Sequence, residues 1–281
     1  MDSLEDFECY DKLTFTAMND LGWDVSEVSW RSDKDWNEFR YVVIRSPWDY
    51  QDHAHEFMAV LNTIENSSAT LLNPLSIIEW NINKHYLIDL QNKGIEIVPS
   101  IWCEHLTKGD VNNAYAQFDT KELIIKPAVS AGASDTYRVP QQSITEFCTE
   151  HLSKFNQRQC LIQPFMPAIV DEGEYSLFYF NSELSHCILK TPKSDDFRVQ
   201  EEHGGRLKLV EEPEQSLLNA ANATLKQISE NLLYARLDFV RHNNAFVLME
   251  AELIEPSLYF NLDEKSPERF AKAFDAFIHK L

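Results

Sequence analysis

The sequence predicts an α/β region followed by an α+β region, and three observations carry that reading. Up to about residue 100, helix-like and strand-like patterns alternate; from about residue 121, short apolar strands follow one another closely; and two late segments have the one-sided apolar stripe of covering helices. The 281 residues are 44% hydrophobic, enough to bury a sizeable core in one large domain or two to three small ones.

In order along the chain, a helix-like segment at about 11–21 leads to a short strand around Trp23 to Val28, a polar patch, and the apolar strand RYVVIRS at 40–46. A helix is expected at about 55–66, where Phe57, Val60, Leu61 and Ile64 recur at helical spacing, and LLNP at 71–74 closes the unit. WNINKHYLIDLQN at 80–92 reads as one helix, with Gly94 just past its end, followed by the strand IEIVPS. The pattern then turns to strands: KELIIKP, CLIQPF, EYSLFYF, LSHCILK and RLKLV. A helix at 143–155, with a capping box from Ser143 and Glu146, interrupts them. Such close spacing implies antiparallel pairing. A helix at about 214–231 and a last one starting at Ser266-Pro267, with Phe270, Phe274, Phe277 and Leu281 on one stripe, would cover the sheet. The divisions expected are 1–75, 76–155 and 156–281, with no internal repeat.

Composition excludes several classes. A formal net charge of −20, with no Lys/Arg stripe to offset 45 acids, argues against nucleic acid as a partner. No run of 18 apolar residues suggests a membrane span, and the acidic start MDSLEDFECYD is unlike a secretory signal, so a cytoplasmic location is expected. Cys9, Cys103, Cys148, Cys160 and Cys187 are scattered without a CxxC pair, which indicates neither a disulfide framework nor a zinc site. No HExxH spacing occurs among the nine histidines.

Three acids stand out near the C-terminal end. Asp238 lies in LLYARLDFV, and Glu250 and Glu252 lie in VLMEAEL; the polar connection RHNN between the two runs suits a hairpin. If VLMEAEL is extended, Glu250 and Glu252 leave the same face. Oxygen-only ligands of this kind suit Mg2+ or Mn2+ completed by phosphate oxygens, while an acidic sheet face turned to water is the equal alternative at this point. Among the bases, Lys126 ends the strand LIIKP before the small-residue loop AVSAGAS at 128–134, a way to hold phosphates, although one glycine is too few for a Walker loop. An edge lysine that blocks strand pairing is the alternative. Lys190, Arg198 and Arg236 repeat the pattern of cations in or beside apolar strands, each of which costs desolvation unless an anion meets it. QPFMPAI at 163–169 brackets bare backbone with apolar residues, suited to a flat heteroaromatic edge or to a plain edge strand. Glu172 and Glu174 follow, either of which could reach ribose hydroxyls or water.

Taken in order, IIKPAVSAGAS, QPFMPAIVDEGEYS, K-T-P with FRVQEEHGG, ARLDFV and MEAELIEP resemble the ATP-grasp superfamily on its glutathione-synthetase-like branch. VVIRSPWDY at 42–50 and WNINKHYLIDLQNKGIEIVPS at 80–100 make the ligases associated with cycloserine biosynthesis the nearest type. The resemblance implies an N-terminal α/β part and a nucleotide held between two antiparallel sheets, with ATP and Mg2+ (or Mn2+) as cofactors. It implies that Lys126 and the backbone of Gln163, Pro164, Phe165 and Met166 meet the nucleotide, and that Glu174 meets the ribose. Lys84 falls in a family segment on the nucleotide side, Lys190 and Arg198 would act on the transferring phosphoryl, and Arg45 matches an arginine near the acceptor. Asp238, Glu250 and Glu252 would ligate one or two metals, with Glu252 where glutathione synthetases commonly have Asn.

Three departures from the family accompany these matches. The chain is expected to begin after the family's first strand. A second phosphate lysine has only Lys108 and Lys121 as candidates, and Asp195 stands where glycine is expected. The activity implied is a ligase that joins a small-molecule carboxylate to an amine through an acylphosphate, or cyclises one amino-acid-like substrate. The rivals are a nucleotide-binding protein without turnover and a phosphotransferase. Oligomeric state stays open, a homodimer included.

Overall fold

The computed structural model describes residues 8–130, 132–194 and 196–280; the expectations for Ala131, Asp195 and Leu281 lie outside them. After the short helix α1 (Phe15–Asp20), strands β1 (Tyr41–Val43) and β2 (Thr70–Leu72) pair in parallel, connected through α2 (Ala54–Glu65). The helices α3 (Leu75–Asn81) and α4 (Tyr86–Asn92) lead to β3 (Ile101–Cys103), α5 (Lys108–Phe118), β4 (Glu122–Pro127), β5 (Tyr137–Pro140), α6 (Ile144–Glu150) and β6 (Cys160–Pro164). These four strands form an antiparallel sheet ordered β3-β6-β4-β5.

A single-turn helix, α7 (Ala168–Asp171), precedes β7 (Glu174–Phe180), β8 (Glu183–Thr191), β9 (Arg206–Leu209), α8 (Gln215–Gln227), β10 (Tyr234–His242), β11 (Ala245–Glu252) and α9 (Ser266–Ile278). The second antiparallel sheet is ordered β11-β10-β7-β8-β9. The expected division at 155/156 would cut the first sheet, because β6 pairs with both β3 and β4. No helix among the described residues is long and apolar enough to cross a membrane.

Period-two alternation decides what each sheet shows to its neighbours. On the four-stranded sheet, Leu123, Ile125, Val139, Cys160 and Ile162 pack under α5 and α6 against Val111, Tyr115 and Phe147. Ile124, Lys126 and Gln163 leave the opposite face, towards the five-stranded sheet. On that sheet Leu177, Leu237, Phe239 and Leu248 pack with Leu217 and Ala221 of α8. Its other face is divided: Phe178, Phe180 and Tyr234 lie under Phe270, Phe274 and Phe277 of α9. Further along the same face, Glu174, Lys190, Arg236 and Asp238 are left uncovered by α9 and line the space between the sheets.

Several elements depart from the sequence reading. Trp23 to Val28 form no strand: Trp23 and Val25 pack into the α9 core and Val28 into the α2 core, and their backbone joins no ladder. The helix expected over 80–92 is broken at 82–85, because asparagine amides are drawn into tertiary bonds. Asn81 donates to Ala251 O at 2.8 Å and accepts from Leu253 N at 3.0 Å, and Asn83 donates to Gln159 Oε1 at 2.9 Å. Ile95 to Ser100 makes only a single parallel bridge, Ile97 to Leu248, and the strand starts at Ile101. Ser143 makes no side-chain cap on α6, so the capping box is absent there; one does form at Thr107 and Asp110 of α5. The 214–231 helix stops at Gln227, and β2 and β5 are strands beyond those the sequence pattern predicts.

Candidate active site

Between the two sheets lies an open cleft with about 110 Å3 of free interior, less than a nucleotide-sized ligand occupies, its charged walls being paired with one another. Lys84, Lys126, Gln163, Pro164, Met166, Glu174, Lys190, Arg198, Asp238, Glu250 and Glu252 all line it, brought together from positions up to 168 apart in the sequence. A shallower surface depression beside Lys34, Asp35 and Asn62 has no such convergence of charged groups.

The acids of the β10–β11 hairpin face the cleft through a specific device. Arg236 lies opposite Glu252 and Asp238 opposite Glu250, but the register slips between Asp238 and Phe239, leaving Met249 as an extra residue. That bulge reverses the alternation of β11, so Leu248 points into the α8 core while Glu250 and Glu252 point into the cleft. Asn243 and Asn244, with φ of 48° and 65°, form the tight turn that the RHNN connection anticipates.

Each carboxylate is closed by a cation. Lys126 Nζ donates to Glu250 Oε1 at 2.8 Å, and Lys84 Nζ lies 3.6 Å from the same oxygen. Burial would raise the Glu250 carboxyl, but the two lysines outweigh it and hold the group well below the usual carboxylate range. Arg236 Nη2 bonds Asp238 Oδ2 at 3.0 Å and also Glu252. Burial opposes ionisation of Asp238 too, yet Arg236 and Lys190 lower its pKa. At Glu252 burial wins over Arg236, and with Asp238 and Glu250 nearby the carboxyl is raised to about 7. Lys190 is 2% exposed, 2.6 Å from Glu174 Oε1 and 3.7 Å from Asp238 Oδ1. Burial works against its charge, but those two carboxylates overcome it and raise its pKa. Burial raises Glu174 in spite of Lys190. Among the described residues no three acidic, cysteine or histidine side chains stand close enough to hold a metal between them. The three acids share a face but do not meet at one point: Asp238 and Glu252 share Arg236, while Glu250 is held by Lys126 and Lys84.

The loop between β8 and β9 forms one wall through Phe197, Arg198, Val199 and Gln200. Asp196 fixes Arg198 with bonds of 3.1 and 2.9 Å, and the amides of His203 and Gly205 both donate to Gln200 O at 3.0 Å. Gly205 has to be glycine there: a Cβ would lie 2.0 Å from Val199 O. One end of the cleft, reached by Val199 of this wall, is apolar, with Val98, Met166, Ile169, Val199 and Met249 in one cluster.

One predicted residue stands apart. Arg45 does not line the cleft; its Nη2 donates to Asp11 Oδ1 at 3.1 Å and Pro256 O at 2.8 Å, with the guanidinium 5.0 Å from the Tyr234 ring centre. Phe165, whose backbone alone is expected at the nucleotide, has its ring 3.8 Å from the Arg138 guanidinium. Lys108 and Lys121 are also outside the cleft; the second amine beside Lys126 is Lys84, brought in by the break between α3 and α4 and bonded to Ser130 O at 2.8 Å. Arg236 belongs to the site as fully as its neighbours, and its position two before Asp238 was the signal for it.

Residues 103–257 match the family described as prokaryotic glutathione synthetase, ATP-grasp domain, and residues 1–73 match the N-terminal domain of D-cycloserine synthetase DcsG. The chain is 27% identical over 260 residues to the cycloserine biosynthesis protein DcsG of Streptomyces lavendulae, covering 85% of this chain and 83% of that protein. It is 24% identical over 153 residues to glutathione synthetase of Citrobacter rodentium, 52% of this chain and 45% of that one. In structure it resembles crystalline D-cycloserine synthetase DcsG with a TM-score of 0.85, at 23% identity over 95% of this chain and 93% of the other. D-alanine–D-alanine ligase from Bacillus anthracis follows at a TM-score of 0.66 and 14% identity, over 96% and 91%. At these identities the two structures speak for the fold.

Proposed function

This chain belongs to the ATP-grasp family of the prokaryotic glutathione-synthetase type, and from that premise we propose that it activates a substrate carboxylate as an acylphosphate and passes the acyl group to an amine. The observation that carries the reading is the double row of paired charges across the cleft. Lys84 and Lys126 meet Glu250 from one side, and Lys190 and Arg236 meet Glu174, Asp238 and Glu252 on the other. Such a site offers cations to a polyphosphate and hard oxygen ligands to a divalent metal, and no cysteine or histidine is among its described lining residues.

The residues present fit Mg2+ in donor chemistry: Asp238, Glu250 and Glu252 are oxygen ligands on one face. When bound, the metal neutralises charge on phosphate oxygens. The chain's own groups do the rest. Lys84 and Lys126 exchange Glu250 for phosphate oxygens as the nucleotide enters. Lys190, Arg198 and Arg236 hold the transferring phosphoryl while a substrate carboxylate attacks the γ-phosphorus and ADP leaves. An amine then attacks the acyl carbon and phosphate departs. The apolar end takes the purine beside the Gln163 to Met166 backbone. Similarity to the Streptomyces lavendulae protein over most of both chains favours a small amino-acid-like substrate, cyclised within one molecule.

Unfolding midpoints with and without Mg-ATP, for the protein and for Glu250→Ala, test the nucleotide half of the reading. A metal-dependent rise of about 2–3 kcal/mol at a hundredfold excess over Kd is expected, and is lost in the variant. ADP release across carboxylate and amine pairs, with product masses, tests the other half. A product that keeps the phosphoryl group would identify a phosphotransferase, and ADP that never forms would sink the ligase.

A further inference from the structure

Cys103 and Cys160 sit directly opposite one another where β3 pairs with β6. Both are free, Cys160 fully buried and Cys103 partly exposed on the strand that edges the sheet. The neighbouring Cys160 thiol lowers Cys103 against the opposing effect of burial. The same contact, with burial, raises Cys160. Residues opposed in an antiparallel pair have Cα atoms about 4.5–5.5 Å apart, inside the disulfide range of about 4.4–6.8 Å. Their Cβ atoms, at about 4.5–5.5 Å, must close by up to roughly 1 Å to reach disulfide spacing. Such a bond can form, but under strain, and strained disulfides are the easily reduced ones.

The pair is wired to the cleft. Ser100, just before β3, accepts from the Gln163 side chain at 2.9 Å, and Val98 lines the cleft while its amide donates to Leu248 O at 3.0 Å. On its other side Cys160 faces Pro127, next to Lys126. Drawing β3 onto β6 therefore moves a cleft wall.

We propose that Cys103 and Cys160 form a redox modification site, a reversible cross-strand disulfide that weakens nucleotide binding when closed. The Cys103 thiolate attacks a small-molecule disulfide, expelling one thiolate and forming a mixed disulfide. Cys160 then loses its proton and attacks the Cys103 sulfur, expelling the second thiolate. Two protein thiols are oxidised and one disulfide co-reactant is reduced to two thiols. The effect on nucleotide rests on the function proposed above; formation of the bond does not.

The full chain is incubated with oxidised glutathione, its mass and cross-linked peptides are recorded, and Mg-ADP affinity is measured by titration. The expected result is the loss of two hydrogens with a single Cys103–Cys160 link, and affinity weaker by about threefold or more, restored by dithiothreitol. Cys103→Ser, on the edge strand, is expected to bind Mg-ADP as the reduced protein does and to ignore oxidant. A glutathione adduct that persists on Cys103, a link between other cysteines, or unchanged Mg-ADP affinity in the linked protein would overturn the proposal.

Discussion

One face of the five-stranded sheet is built in two ways. Along β7, alternate residues run Glu174, Ser176, Phe178, Phe180; the last two lie under α9, and the first two lie in or beside the cleft. The covered half is held by apolar contact, in which Phe180 meets Phe270 edge-on at 5.2 Å. The other half buries Lys190, Arg236 and Asp238 almost as completely, and is held only because each charge has an opposite partner. The difference lies in what a single change leaves behind. Truncation in the covered half leaves a hole; truncation in the charged half leaves an orphan ion, in a place where a ligand would otherwise supply the partner.

The sharpest break is therefore Lys190→Met. It leaves Glu174 and Asp238 facing each other without the amine and should cost about 3–5 kcal/mol of stability, with loss of ADP formation. Adding Glu174→Gln should return much of the stability, read from the denaturant midpoint, and none of the activity. Phe274→Ala in the covered half should cost about as much, 3–5 kcal/mol, while the Mg-ATP-induced rise survives. Equal loss of nucleotide response in both would erase the distinction.

Next in size is Gly205→Ala. The added Cβ would press on Val199 O, so the turn carrying Arg198, Val199 and Gln200 must shift. Turnover should fall by about a hundredfold, as misplacement of about 1 Å does, with smaller change in the unfolding midpoint. Unchanged kcat would show that this wall does not position the phosphoryl group.

The two halves were unequally legible in the sequence. The aromatic stripe of α9 and the alternation of β7 read directly, because helix and strand periods are local properties. Asp238, Glu250 and Glu252 do line one cleft, but simple alternation would have turned Glu250 to the side of Leu248 and the core; the Met249 bulge separates them and leaves no local mark. Lys84, assigned to the nucleotide side by resemblance and not by any local pattern, owes its place to a related cause. A chain that is helix-like over 80–92 breaks because Asn81 is bonded to Ala251 and Leu253, some 170 residues away. Arg45, assigned by resemblance, is engaged with Asp11 and Pro256 instead of the cleft.

A smaller effect belongs to the apolar end of the cleft. Met166→Ala removes a buried side chain from the cluster with Val98, Ile169 and Val199, and should weaken nucleotide binding by about tenfold. The loss should be the same at low and high salt, whereas binding that depends on Lys84 and Lys126 should be salt-sensitive. A salt-dependent loss in Met166→Ala would place the phosphates, not the base, against this wall.

A last contrast concerns pH and separates two carboxyls of neighbouring segments. Glu250 is held ionised by lysines, whereas Glu255, just past β11, is raised to about 8, by burial first and then by Glu252, against the Tyr50 phenol that bonds it. A glutamate in the unfolded chain ionises near 4.5, so between that value and about 8 the folded state binds more protons than the unfolded one. Stability contributed by this group must then fall as pH rises through that window, the reverse of a carboxylate paired with a cation. Glu255→Gln keeps a neutral side chain at every pH and should remove that part of the slope. The difference in unfolding midpoint, variant minus wild type, should grow from about pH 5 to about pH 8 and level off above. A difference that stays flat would mean that Glu255 ionises normally, and that the charge-balanced half of the sheet ends at Glu252.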